Sequence, residues 1–284
     1  MMVGGDVIMT MRAPDRPGLV ADMTTALAAE GCDIRDAAVF GDRDTRTFFV
    51  RMHLAGAGAD PARLAAATSP VASKLRADVR FYTQREAMPI VVAVSRFGHC
   101  LSDLLHRWAA GSLPVEIAAV VSNHEEMRGL TEWHDVPFHY LPVAEGEKRE
   151  QERRLLDVVA ATGAELLVLA RYMQVLSPDA CAALDGRCIN IHHSFLPSFV
   201  GAKPYHQAHL RGVKLIGATA HYVTAELDQG PIIEQDVRRV THAALLEDLI
   251  AEGREVEARV LSRAVRWHAE RRVFISGHKT IILS

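Results

Sequence analysis

The chain has 284 residues, 49% hydrophobic and 24% charged, with 19 Gly and 12 Pro; that is ordinary globular usage at a length above the ~100–200 residues usual for one domain, so two domains are expected. The net charge of −3 has both signs interspersed and no Lys/Arg run, which argues against a surface that tracks nucleic-acid phosphates and favours a small-molecule ligand. No stretch of about 18 apolar residues occurs and Met1-Met2-Val3-Gly4-Gly5-Asp6 has no basic-then-apolar segment, so no membrane span is expected and a cytoplasmic location is.

The first eighty-odd residues predict strand 7–12, helix 19–30, strands 34–40 and 47–54, helix 61–74 and strand 78–82. Pro17-Gly18 opens the first helix, and Gly41-Asp42-Arg43-Asp44 suits a hairpin between the middle strands. This βαββαβ order is ferredoxin-like, two helices on an antiparallel sheet. The polar run Thr83-Gln84-Arg85-Glu86-Ala87-Met88-Pro89, closed by a proline, is the linker. It divides the chain into a domain at 1–84 and another at 85–284.

Beyond the linker, strands at 90–95, 115–122, 137–140 and 165–170 alternate with helices at 100–110, 124–134 and 148–162. That alternation predicts a Rossmann-like, mostly parallel sheet covered by helices on both faces, as near-continuous apolar runs such as Leu166-Leu167-Val168-Leu169-Ala170 also require. Ligands of such sheets bind at the carboxyl ends of the strands. The fold class is therefore α/β, with a small ferredoxin-like domain ahead of a parallel-sheet domain.

The strand at 188–191 runs into His192-His193-Ser194-Phe195-Leu196-Pro197, a polar loop that is poor packing material. Asn190 and His192 are two apart on extended chain and point to one side. Strands at 215–223 and 232–237 flank the turn Leu227-Asp228-Gln229-Gly230-Pro231, which sets a carboxylate at a loop tip. Asn and His can donate to the oxyanion of a tetrahedral intermediate, and Asp can orient the His or help activate water. Equally, Asn190 can be a strand-end turn former, His192 a satisfied half-buried imidazole and Asp228 an ordinary Asp-x-Gly turn. Spacing alone does not choose between these readings.

Ile189-Asn190-Ile191-His192-His193-Ser194-Phe195-Leu196-Pro197 and, 38 positions from Asn190 to Asp228 (228 − 190), Leu227-Asp228-Gln229-Gly230-Pro231-Ile232-Ile233 resemble the motifs of folate-dependent formyl transferases and hydrolases. The resemblance implies Asn190, His192 and Asp228 as the catalytic trio. Ala170-Arg171-Tyr172-Met173-Gln174-Val175-Leu176 is similar to the stretch that lines the family's folate pocket, which implies Arg171, Tyr172, Met173, Leu176, His193 and Gly201 as substrate-binding residues. Taken without the resemblance, Tyr172, Met173 and Leu176 read as plain core.

Within that family, Ser95-Arg96-Phe97-Gly98-His99-Cys100-Leu101 carries one glycine where glycinamide ribonucleotide formyltransferases have a Gly-Ser-rich phosphate cradle. Water is thus the expected acceptor. Doubled His192-His193, Tyr205-His206-Gln207-Ala208 and Gly217-Ala218-Thr219-Ala220-His221-Tyr222-Val223 resemble formyltetrahydrofolate deformylases, and Ala13-Pro14-Asp15-Arg16-Pro17-Gly18-Leu19 resembles the ACT domain those enzymes carry. The resemblance spans essentially the whole chain. It implies hydrolysis of 10-formyltetrahydrofolate to formate and tetrahydrofolate, which feeds formate to purine synthesis, with folate as substrate and no cofactor. It also implies a small amino-acid effector at Asp15, Pro17 and Gly18, and a homo-oligomer, dimer or tetramer. The alternatives are formyl transfer to glycinamide ribonucleotide, or an amino-acid sensor that binds folate without turnover.

A metal-dependent amidohydrolase is the rival suggested by fourteen histidines. The one H-E-x-x segment, His124-Glu125-Glu126-Met127-Arg128, ends in Arg where a zinc site requires His, so no metal is expected. Cys32, Cys100, Cys181 and Cys188 show no C-x-x-C pairing and read as reduced thiols.

Overall fold

Gly5–Pro14 (β1), Leu19–Ala29 (α1), Asp33–Asp42 (β2), Thr47–Gly56 (β3), Pro61–Leu75 (α2) and Asp78–Thr83 (β4) follow the expected βαββαβ order in the computed structural model, which describes residues 5–56, 58–84, 87–144, 146–194 and 204–283. The strands form an antiparallel sheet in the order β2-β3-β1-β4. Local chemistry sets the helix starts. Gly18 precedes α1 at φ 88°, a left-handed conformation that glycine adopts without a Cβ penalty. Asp60 caps α2 by accepting from Arg63 N at 2.7 Å, with Pro61 in the first turn. Met9, Met11, Met23, Leu27, Leu54 and Leu64 fill the core between sheet and helices.

Met88–Val94 (β5), His99–Ala109 (α3), Val115–Ser122 (β6), Arg128–Trp133 (α4), Phe138–Tyr140 (β7), Lys148–Ala161 (α5), Leu166–Leu169 (β8), Pro178–Ala183 (α6), Cys188–His192 (β9), Pro204–Leu210 (α7), Leu215–Tyr222 (β10), Ile232–Arg239 (β11) and Leu246–Ala269 (α8) follow, and Val273–Ser276 (β12) and Lys279–Ile282 (β13) end the element order. β7-β6-β5-β8-β9 are all parallel, and β10 and β11 extend the sheet antiparallel beyond β9. From β5 the chain builds β6 and β7 on one side and then returns to build β8 and β9 on the other. The carboxyl ends of β5, β8 and β9 thus flank the crevice where such sheets bind ligands. All four residues of β8 are buried, and each Leu or Val so buried contributes about 1.5–3 kcal/mol.

The helix expected over 124–134 is six residues, Arg128–Trp133, preceded by bends and turns. Ser122 Oγ accepts from His124 N at 3.1 Å, and a local side-chain bond of this kind competes with the helical ladder. The 24-residue α8 had no counterpart in the sequence reading. Its buried stripe, Leu249, Gly253, Val256, Val260 and Ala264, keeps helical spacing but is interrupted by the buried polar Glu257 and Ser262.

Two compact units result. One contains Met1–Ala87 together with Glu270–Ser276 and Ile281–Ser284, the other Met88–Ala269 with Gly277–Thr280. The expected division after residue 84 falls within the segment that ends the first piece, whereas the two C-terminal pieces carried no local signal. Arg51 Nε donates to Glu270 O at 2.9 Å, and the rings of Phe49 and Phe274 lie 5.4 Å apart within the first unit. Among the described residues no helix is long and apolar enough to cross a membrane.

Candidate active site

β9 and β10 run antiparallel with Asn190 opposite His221 and His192 opposite Thr219. Strand parity therefore turns Asn190, His192, Thr219 and His221 to one side. The connection from β10 to β11 brings Asp228 back over that side. Asp228 has φ 56°, a left-handed conformation unusual for a residue with a Cβ, and Gly230 is obligatory two residues later because a Cβ there would strike the Tyr222 carbonyl. Tyr222 N donates to Pro231 O at 3.0 Å and closes the turn.

Asp228 Oδ2 lies 3.2 Å from His192 Nδ1, and its Oδ1 lies 3.5 Å from His221 Nε2. Hydrogen bonds from His192 and then His221 hold the Asp228 carboxyl far below the usual carboxylate range, against the opposing effect of burial. His192 Nε2 is 3.0 Å from Ser194 Oγ. His221 is 2% exposed and its Nδ1 faces the Tyr222 carbonyl at 2.9 Å, so Nδ1 carries a proton. The same Nε2 lies 3.2 Å from Asn190 Nδ2, and the two N–H groups of that amide leave Asn190 a donor for another acceptor.

These groups open onto a cavity of about 820 Å³ whose lining includes Arg171, Tyr172, Met173, Leu176 and His193 beside Asn190, His192, His221 and Asp228. That volume suits a ligand of cofactor size. Tyr172 is a fixed wall, 5% exposed with its hydroxyl bonded to the Gln151 amide, whereas Met173 is 54% exposed at the rim. Gly201, also expected at the folate site, lies outside the described residues. Asp15, Pro17 and Gly18 lie on the first unit, where Asp15 N donates to Arg46 O at 2.8 Å and Gly18 O accepts from Asp22 N at 2.9 Å. His221 was absent from the expected site residues. The signal was its parity with Thr219 on an otherwise apolar strand.

A family model described as formyl transferase matches residues 88–265, and one described as ACT domain matches 7–67. A formyltetrahydrofolate deformylase of Corynebacterium sp. is 45% identical over 278 residues, 97% of each chain. The chain belongs to the formyltetrahydrofolate deformylase family. Among solved structures, a formyltetrahydrofolate deformylase of Burkholderia mallei matches at TM-score 0.95 and 45% identity, covering 99% of this chain and 100% of that one. Glycinamide ribonucleotide transformylase 1 of Symbiobacterium toebii matches at TM-score 0.67 and 32% identity over 72% of this chain and 97% of its own. Family membership therefore holds over both units, and the transformylase likeness over less of the chain.

Proposed function

We propose that the chain hydrolyses 10-formyltetrahydrofolate, releasing formate and tetrahydrofolate, with water as the acceptor. The observation that carries this reading is Asp228 set between His192 and His221 in the lining of a cavity that Arg171–Leu176 also line, in a chain matched along its length by deformylases. Oxygen of water adds to the formyl carbon, the C–N10 bond breaks, and N10 takes a proton. Asp228, ionised at neutral pH, fixes His192 through Nδ1 and helps take the proton from water. His192 in its charged form and the remaining N–H of Asn190 stabilise the oxyanion, each donor being worth a few kcal/mol in comparable sites.

Tyr172, Met173, Leu176, His193 and Gly201 serve as substrate-binding residues. No metal or nucleotide takes part. A small amino acid binds at Asp15, Pro17 and Gly18, the protein works as a cytoplasmic homo-oligomer, and the formate it releases supports purine synthesis. Purified protein incubated with 10-formyltetrahydrofolate tests the central claim by formate and tetrahydrofolate release. Turnover that begins only on adding glycinamide ribonucleotide defeats the hydrolase reading.

A further inference from the structure

A buried charged cluster beside the candidate active site has no part in the chemistry above. Glu257 of α8 has a side chain 1% exposed. Its Oε1 accepts from Tyr205 Oη at 2.5 Å, and its Oε2 lies 2.8 Å from His99 Nε2 and 3.4 Å from Arg171 Nε. Burial pushes its carboxyl up, but His99, Arg171 and Tyr205 outweigh burial and hold it below its ordinary range. Gly253, one helical turn earlier, makes room for Tyr205, because a Cβ there would run into the tyrosine ring and hydroxyl. The donors of His99, Cys100 and Glu257 are close enough together to suggest a metal. Arg171 already supplies the positive charge at Glu257, however, and burial drives the Cys100 thiol well up, away from the thiolate a metal binds.

Arg171 itself is under strain. It has φ 63°, which costs a residue with a Cβ about 1–2 kcal/mol. The conformation is imposed from outside: Ser95 N donates to Arg171 O at 3.2 Å, and Met173 N donates to Ser95 Oγ at 3.0 Å. Glycine would take this conformation without penalty, so the backbone gives no reason for an arginine. The reason lies in the side chain, which is 11% exposed and reaches from Glu257 to His193.

Guanidinium only donates. Its Nη1 contact with His193 Nδ1 therefore makes that nitrogen an acceptor and the His193 ring neutral. His193 in turn stacks on His192, ring centroids 4.9 Å apart and planes 17° from parallel. Asp228 and Ser194 engage His192 at its two nitrogens, both on the edge of the ring. His193 supports the face of that ring, a contact that neither edge partner supplies.

We propose that Arg171, anchored by Glu257, is a positioning residue that sets the plane of His192 through a neutral, stacked His193. The inference rests on the hydrolase reading and gives Arg171 a role other than folate binding. The experiment measures kcat and KM for 10-formyltetrahydrofolate in wild type, Arg171→Gly, Glu257→Gln and the double variant, with circular dichroism as the check on folding. Imidazole ¹⁵N spectra of the same four proteins are recorded alongside.

Misplacing a reacting group by about 1 Å can cost ~10²-fold, so Arg171→Gly should lose roughly 10–100-fold in kcat with KM within about twofold. Ethylguanidine in the assay should restore part of the loss. Glu257→Gln should act in the same direction, and in the double variant it should add nothing to Arg171→Gly, since residues acting through one another are not additive. A raised KM at unchanged kcat, or fully additive losses, overturns the proposal. If wild type releases no formate the hydrolase reading fails, and the spectra still decide the geometry: His192 and His193 resonances unchanged in Arg171→Gly overturn the positioning role, and altered ones support it. Should Arg171→Gly not fold, Glu257→Gln provides the same kinetic and spectral comparison.

Discussion

His221 Nε2 stands 3.5 Å from Asp228 Oδ1 and 3.2 Å from Asn190 Nδ2, so one buried imidazole touches two of the three groups assigned to the chemistry. Its own orientation is set by the Tyr222 carbonyl at 2.9 Å. Replacing it by Asn keeps a donor near the Nδ1 position and removes Nε2. His221→Asn should lower kcat about 10–100-fold through misplacement of Asp228 and Asn190. It also removes one of the bonds that depress the Asp228 carboxyl, so the acid limb of kcat against pH should move to higher pH. An unmoved limb would show that His221 does not tune Asp228.

Asp228→Asn keeps the shape of the turn and abolishes the charge between the two imidazoles. General acid–base catalysis contributes ~10²–10⁴-fold, and kcat should fall by about that much. KM should change little, because Tyr172 and Leu176 hold the substrate in the proposed mode and an interaction used only in the transition state lowers kcat and kcat/KM together. Single-turnover and tetrahydrofolate-binding measurements check both halves. Near-normal hydrolysis would make the turn structural.

His193 provides a stability test. Burial first, then the charges of Arg171 and His192, push it down to about 4. The unfolded chain takes up a proton near pH 6.5, while the folded chain resists until about pH 4. A group depressed in this direction contributes its stability above pH 6.5 and loses it as the pH falls toward 4. His193→Asn retains an acceptor for Arg171 without a titrating group. Urea unfolding at pH 7.5 and 5 should show a smaller loss on acidification in the variant than in wild type, and equal losses would assign the acid sensitivity to other groups.

The thiols give a prediction that does not depend on folate. Cys100, Cys181 and Cys188 are buried and Cys32 is half-buried, with burial raising the Cys188 and Cys32 thiols above their ordinary range. A disulfide reagent at neutral pH should therefore modify Cys32 alone, and slowly, in native protein, and all four after unfolding. Mass spectrometry of the labelled peptides identifies the site. Rapid labelling of Cys188 would show that β9 opens readily.

Local pattern carried much of this fold. The apolar runs of β5, β6 and β8 are unbroken because both faces are covered, and Asn190 and His192 share a side because strand parity leaves no other choice. Asp228 was legible as a turn residue, since Gly230 and Pro231 follow it. What escaped the sequence is what depends on distant partners. Arg171 lies in the loop after β8 and Glu257 in α8, and nothing near either residue announces the other. His221 reads as one polar residue on a strand until its neighbours across β9 and the β10–β11 turn are seen. The long α8 was obscured by the same buried glutamate that makes it informative.

The first unit is built from both ends of the chain, and this orders its synthesis. Arg51 finds its carbonyl partner at Glu270, 219 residues later, and Phe49 finds the Phe274 ring at a similar remove. A ribosome adding about 5–20 residues per second takes roughly 10–40 s to cover that interval. For that time a nascent chain holds the βαββαβ elements without the segment that covers Phe49 and satisfies Arg51. The unit begun first thus waits for Glu270–Ser276, and a premature stop just after Ala269 deprives it of that segment while also removing Gly277–Thr280 from the second unit.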